Sequence, residues 1–78
     1  MIKRMNELRL GETGIVIENK TEADLKRRFL DIGLINGSII ECVGKSPLGD
    51  PSAYLIKGAV IAIRGIDCEK ITVDIKTP

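Results

Sequence analysis

The chain has 78 residues, enough for one domain, and its twelve basic and eleven acidic side chains leave a net charge of +1. That balance lacks the basic excess of a protein that grips a phosphate backbone, so nucleic acid is not an expected partner. Histidine and tryptophan are absent and only Phe29 and Tyr54 are aromatic, too few rings for a proline-rich-peptide groove or a base-stacking channel.

Thirteen isoleucines against seven leucines favour strands over a helix bundle, because β-branched side chains suit a pleated surface. Met5 to Leu10 places Leu8 and Leu10 on one side, ahead of a turn at Gly11-Glu12. Thr13 to Glu18 reads as a strand, with Ile15 and Ile17 on one face and Gly14 and Val16 on the other. Thr21-Glu22-Ala23-Asp24 has the form of a capping box, a Thr cap with a carboxylate three residues on, and opens a helix over about residues 21–32.

Leu25, Phe29 and Ile32 recur at i, i+4 and i+7 and face the core. Gly33 stands where a left-handed residue closes a helix, and Leu34 can then return onto Phe29 as in a Schellman motif. Lys26, Arg27 and Arg28 form a basic cluster late in the helix, where cations suit its dipole. Leu30 lies off the core stripe, beside Ala23, and is either covered by the N-terminal segment or exposed. If Leu30 and Leu34 form an exposed patch together, they mark a docking surface.

Asn36-Gly37 is a turn signal. Ser38 to Lys45 is a strand, with Ile39, Glu41 and Val43 on one face and Ile40 and Cys42 on the other. The run Pro47-Leu48-Gly49-Asp50-Pro51 that follows is longer and stiffer than a hairpin requires. Each proline fixes its own φ and extends the residue before it. Gly49 can take a positive φ, and Asp50 can accept hydrogen bonds from nearby backbone N–H groups. Such a loop either only connects its strands or shows a fixed shape to a partner.

Ser52 to Lys57 is a strand, Lys57-Gly58 a turn, and Ala59 to Arg64 a strand with Ile61 and Ile63 inward. Gly65 to Lys70 makes a turn or a single helical turn. Ile71, Val73 and Ile75 then alternate with Thr72 and Asp74 in the last strand. About five short antiparallel strands with one early helix predict a mainly β fold, a small SH3-like barrel whose closure would hide the sheet edges.

The reactive residues are sparse. Without histidine the chain lacks the commonest general base and the commonest metal ligand. Ser38, Ser46 and Ser52 have no base to activate them, and no phosphate-binding Gly-rich loop is present. Cys42 and Cys68 read as reduced, semi-buried small hydrophobes without a neighbour at zinc-site spacing. Asp67, Cys68 and Glu69 are the weak candidates for a metal, set against the reading of a solvated acidic turn, since oxygen sites for hard cations need six or more ligands. The chain reads as no enzyme and as needing no cofactor. Its longest apolar run, Ala59 to Ile63, is far below the roughly 20 residues of a membrane span, so no direct membrane insertion is expected. Nor does a signal-length apolar region follow the basic N-terminus, so a cytoplasmic location is expected.

Four stretches resemble the FeoA family. Arg28-Phe29-Leu30-Asp31-Ile32-Gly33-Leu34-Ile35-Asn36-Gly37 is similar to its helix-to-strand signature, and Pro47-Leu48-Gly49-Asp50-Pro51 to its loop. Lys57-Gly58-Ala59-Val60-Ile61-Ala62-Ile63-Arg64 resembles its next hairpin, and Glu69-Lys70-Ile71-Thr72-Val73 its closing strand. They occur in order, with matching spacing, over roughly residues 5–75. Asn36 stands where the family usually has Pro, Phe29 where Leu is common, and the Gly65-to-Glu69 turn is less typical.

The resemblance implies an SH3-like barrel with a helical insertion, whose motif residues here are Gly33, Gly37, Pro47, Gly49, Pro51, Gly58 and Arg64. It also implies a small cytosolic accessory of bacterial ferrous iron uptake. The implied partner is the membrane ferrous iron permease with its cytosolic GTP-hydrolysing domain, through which the chain would be held at the inner membrane. Candidate contacts are Arg27, Arg28, Leu30, Leu34, Leu48 and Asp50. Two other readings stay open: a metal-responsive module like the C-terminal domain of iron-dependent repressors, and a homo-oligomer formed through the strands.

Overall fold

The isoleucine-rich runs pair with one another in the computed structural model, which describes residues 1–76. The strands are β1 (Ile2–Arg4), β2 (Thr13–Asn19), β3 (Ile39–Lys45), β4 (Ser52–Ile56), β5 (Ala59–Ile63) and β6 (Ile71–Lys76). They form one antiparallel sheet in the order β1-β6-β2-β3-β4-β5. A 3-10 turn at Met5–Glu7 follows β1, α1 (Ala23–Asp31) joins β2 to β3, and α2 (Gly65–Cys68) joins β5 to β6.

Period-two alternation decides which side of each strand is buried. Val16, Ile40, Cys42, Tyr54, Ile56, Ile63, Ile71, Val73 and Ile75 point inward, where Met5, Leu8, Phe29, Leu34 and Cys68 complete the core. Gly14 belongs to this inner face for a steric reason: a Cβ there would lie 3.2 Å from the Val73 Cβ on β6. Register shifts at Ile17 and Val43 put a bulge in each of β2 and β3, and bulges of this kind bend the strand and increase its twist.

The structure departs from the expected barrel in four places. There are six strands rather than about five, because Ile2–Arg4 pairs with the last strand, Ile2 opposite Asp74. The hydrogen-bonded ladder does not close: β1 and β5 are free edges, and Val60 and Ala62 are exposed on one of them. Leu8 and Leu10 do not share a side. Leu8 is fully buried and Leu10 is 65% exposed, since the chain leaves a 3-10 turn at Leu8 and enters another turn at Leu10 and no strand runs between them.

The fourth departure is the start of the helix. Thr21 does not cap it: its backbone N–H and its hydroxyl both donate to Asn19 Oδ1, at 2.9 and 2.5 Å. The helix therefore begins at Ala23, with Glu22 at the cap position and no side-chain cap bond.

The other end of α1 is as expected. Gly33 has φ +89, its N–H donates to the Leu30 carbonyl, and the Leu34 N–H donates to the Phe29 carbonyl at 2.8 Å. These are the paired bonds of a Schellman motif. Among the described residues, no helix is long and apolar enough to cross a membrane.

Candidate functional site

Because the Schellman turn swings the chain back, residues 34–36 come to lie beside the end of β2. A groove of about 540 Å3 opens there, lined by Glu18, Asn19, Lys20, Thr21, Lys26, Leu30, Leu34, Ile35 and Asn36. Two of the six expected contacts, Leu30 and Leu34, meet in it. They do not form an exposed pair: Leu30 is 50% exposed, but Leu34 is only 1% exposed and belongs to the core. The second accessible apolar side chain is Ile35, 43% exposed, a residue that sequence periodicity did not single out. Arg27 and Arg28 are exposed on α1 outside the lining.

The groove is short of acid. Lys20 and Glu18 make a loose pair at 3.6 Å with both side chains well exposed, a geometry worth little in water. Lys26, Arg27 and Arg28 make no ion pair among the described residues.

The other two expected contacts, Leu48 and Asp50, lie in the Pro47–Pro51 loop and not in the groove lining. Leu48 is 94% exposed. The loop is held from inside and from across. Gly49, at φ +86, donates its N–H to the Ser46 carbonyl at 2.8 Å, and the Ser46 N–H donates to the Pro51 carbonyl at 3.2 Å.

Asp50 does not bond to its neighbours as expected. Its Oδ1 accepts the Gly65 N–H at 2.6 Å, fifteen residues on, at the first position of α2. The residue at the α2 cap position, Arg64, makes no side-chain cap bond. Asp50 therefore caps this helical turn from a distance and clasps the loop to it. Asp50→Ala should cost about 0.5–2 kcal/mol, the usual loss for a helix cap. Urea unfolding would measure it, with faster exchange of the Gly65 amide as the local sign. An unchanged midpoint would show that the clasp contributes nothing.

The metal candidates do not converge. Among the described residues, no group of three His, Cys, Asp or Glu side chains could hold a metal ion. Asp67 turns to Arg64, its Oδ2 lying 3.1 Å from Nη2. Cys68 is fully buried, and burial pushes its thiol up to about 11, which keeps it protonated where a metal would need the thiolate. Glu69 is exposed.

Residues 3–75 match the family model for the FeoA domain. The chain belongs to the FeoA domain family. The FeoA protein from Chlorobium tepidum superposes on it with a TM-score of 0.92 and 31% identity, covering 96% of this chain and 71% of that one. An Fe(2+) transport protein A/Fe(2+) transporter FeoB fusion protein from Porphyromonas gingivalis is 29% identical over 72 residues. The match takes in 92% of this FeoA chain but only 8% of the fusion protein's length. FeoA from Stenotrophomonas maltophilia, solved with zinc and described as a prokaryotic SH3 domain protein, shares the fold at a TM-score of 0.79 and 24% identity, covering 92% of this chain and 89% of that one. The expected SH3-like, mainly β fold is thus the fold of this FeoA domain, with the sheet left open at β1 and β5.

Proposed function

We propose that this FeoA domain is a non-enzymatic accessory of bacterial ferrous iron uptake. It docks on the cytosolic region of the ferrous iron permease and modulates transport, and it is cytoplasmic except where the permease holds it at the inner membrane. The observation that carries this reading is the Porphyromonas gingivalis protein, in which a domain similar to this chain and a FeoB transporter are one polypeptide. Joining two modules in one chain keeps their contact at a high effective concentration. The exposed Leu30, Ile35 and Leu48 and the cations of α1, which make no ion pair among the described residues, supply surface for such a contact.

Calorimetric titration into the purified cytosolic GTP-hydrolysing region of the permease from the same organism tests the proposal. We expect saturable binding, and comparison with and without a GTP analogue shows whether docking reads the nucleotide state. Absence of binding in both states would remove this region as the partner.

A further inference from the structure

Beside α1, a residue of the groove lining carries a hydrogen-bond donor that nothing among the described residues uses. Asn19 is only 7% exposed, and its Oδ1 takes the backbone N–H of Thr21. A backbone N–H can only donate, so the atom facing it is the oxygen and the amide nitrogen must point the other way. Asn19 Nδ2 has no acceptor among the described residues, yet it is not sealed in, for the only sealed and unpartnered side-chain polar atom among them is Asn6 Oδ1. Asn19 is among the residues that line the groove, and an amide nitrogen that is neither partnered nor sealed is placed to serve a ligand there.

The surroundings of this donor define what would satisfy it. Lys26 lines the groove without an ion pair among the described residues, and Lys20 is only loosely held by Glu18, so two cations face one carboxylate. Leu30 and Ile35 add half-exposed aliphatic surface over the buried Leu34. A groove that joins an accessible, unused donor on a mostly buried residue, surplus positive charge and an aliphatic floor is complementary to a carboxylate next to an apolar side chain. Its volume, about 540 Å3, suits a few residues of polypeptide and not a folded surface.

We propose that this groove captures a short acidic, amphipathic segment of the permease's cytosolic region. An aliphatic side chain of that segment packs on Leu30 and Ile35, and a neighbouring carboxylate accepts from Asn19 Nδ2 and pairs with Lys26. The proposal rests on the docking reading above. A contact of this size is weak in free solution and gains its occupancy when the two partners are held together, as in a fused chain. Because the cations sit on an exposed rim, affinity falls as salt rises.

The test uses the isotope-labelled chain and the purified cytosolic region of the permease. On titration the side-chain amide of Asn19 and the backbone amides of Lys26, Leu30 and Ile35 should shift ahead of those in the Leu48 loop. Leu30→Glu should weaken binding roughly 30-fold or more, as loss of a central anchor does. Lys26→Glu should weaken it roughly tenfold. Both residues are exposed on α1, so both variants should fold, and Lys26→Glu carries the test alone if Leu30→Glu does not. Binding that leaves the groove signals unmoved, or that both folded variants retain, overturns the groove while leaving the docking reading intact. No binding by the unaltered chain overturns the docking reading, and with it the occupant assigned here.

Discussion

Phe29→Ala should lower the stability of the domain by about 3–5 kcal/mol, the usual cost of emptying a buried aromatic site. Phe29 is the one buried residue of α1, and the helix's other inward contacts, Leu25 and Ile32, are only partly covered. Domains of this kind hold together by only about 5–15 kcal/mol in total, so the loss is about a fifth of that or more. It should also be uneven. The sheet keeps its own ladder bonds, whereas α1 loses its anchor, so exchange of the Leu25-to-Asp31 amides should accelerate more than that of β6. The groove would be lost with the helix, since Lys26 and Leu30 form one of its walls. Phe29→Leu, the substitution that the family resemblance makes ordinary here, should cost no more than about 1.5 kcal/mol. Urea unfolding of the two variants measures the difference. A cost for Phe29→Ala below about 1 kcal/mol would mean that α1 is held some other way.

Where a local pattern repeats or a turn demands a backbone conformation, the sequence was sufficient. Ile71, Val73 and Ile75 alternate with Thr72 and Asp74, and β6 is buried in that alternation. Lys57-Gly58 reads as a tight turn, and both residues have positive φ, 50° and 83°, as the twist of a two-residue hairpin requires. The helix stop at Gly33 was legible because its chemistry is local. What was not legible depends on partners distant in the chain. β1 has three residues, too few to show a period, and its partner is β6, about seventy positions on. Asp50 carries the side chain of a local turn former, but its acceptor atom is spent on Gly65. The Schellman reading already brought Leu34 back onto Phe29, but periodicity stops at the helix end, so it could not say that Ile35 stays accessible. Asn19 did leave a signal that went unread. An Asn two residues before a Thr is placed to accept that residue's backbone N–H, and doing so fixes the way its amide points.

Alkaline pH should unfold this domain earlier than its charge balance suggests, because two buried acids of the core lie against each other. Tyr54 is fully buried, its hydroxyl donating to the Met5 carbonyl at 3.4 Å, and burial raises its pKa well above the ordinary 10. Cys68 is raised from about 9 to about 11, first by burial and then by the carboxylates of Asp67 and Asp50, although the Tyr54 hydroxyl pulls it back down. Between these two values the unfolded chain has lost the thiol proton and the folded chain still holds it. The native state then binds more protons, so stability falls as pH rises. The contribution is fully present below about 9 and is lost as pH passes through about 11. At about 1.4 kcal/mol per pKa unit it amounts to roughly 3 kcal/mol, and Tyr54 adds to the loss, with the same sign, above about 10. Urea midpoints taken at about pH 8 and about pH 11 should fall accordingly, and Cys68→Ala should flatten the slope by removing the thiol. A midpoint that does not move over this range would mean that the thiol ionises freely in the folded state. The same proton bears on the metal candidates, since recruiting Cys68 as a ligand would mean ionising a thiol that the core holds neutral.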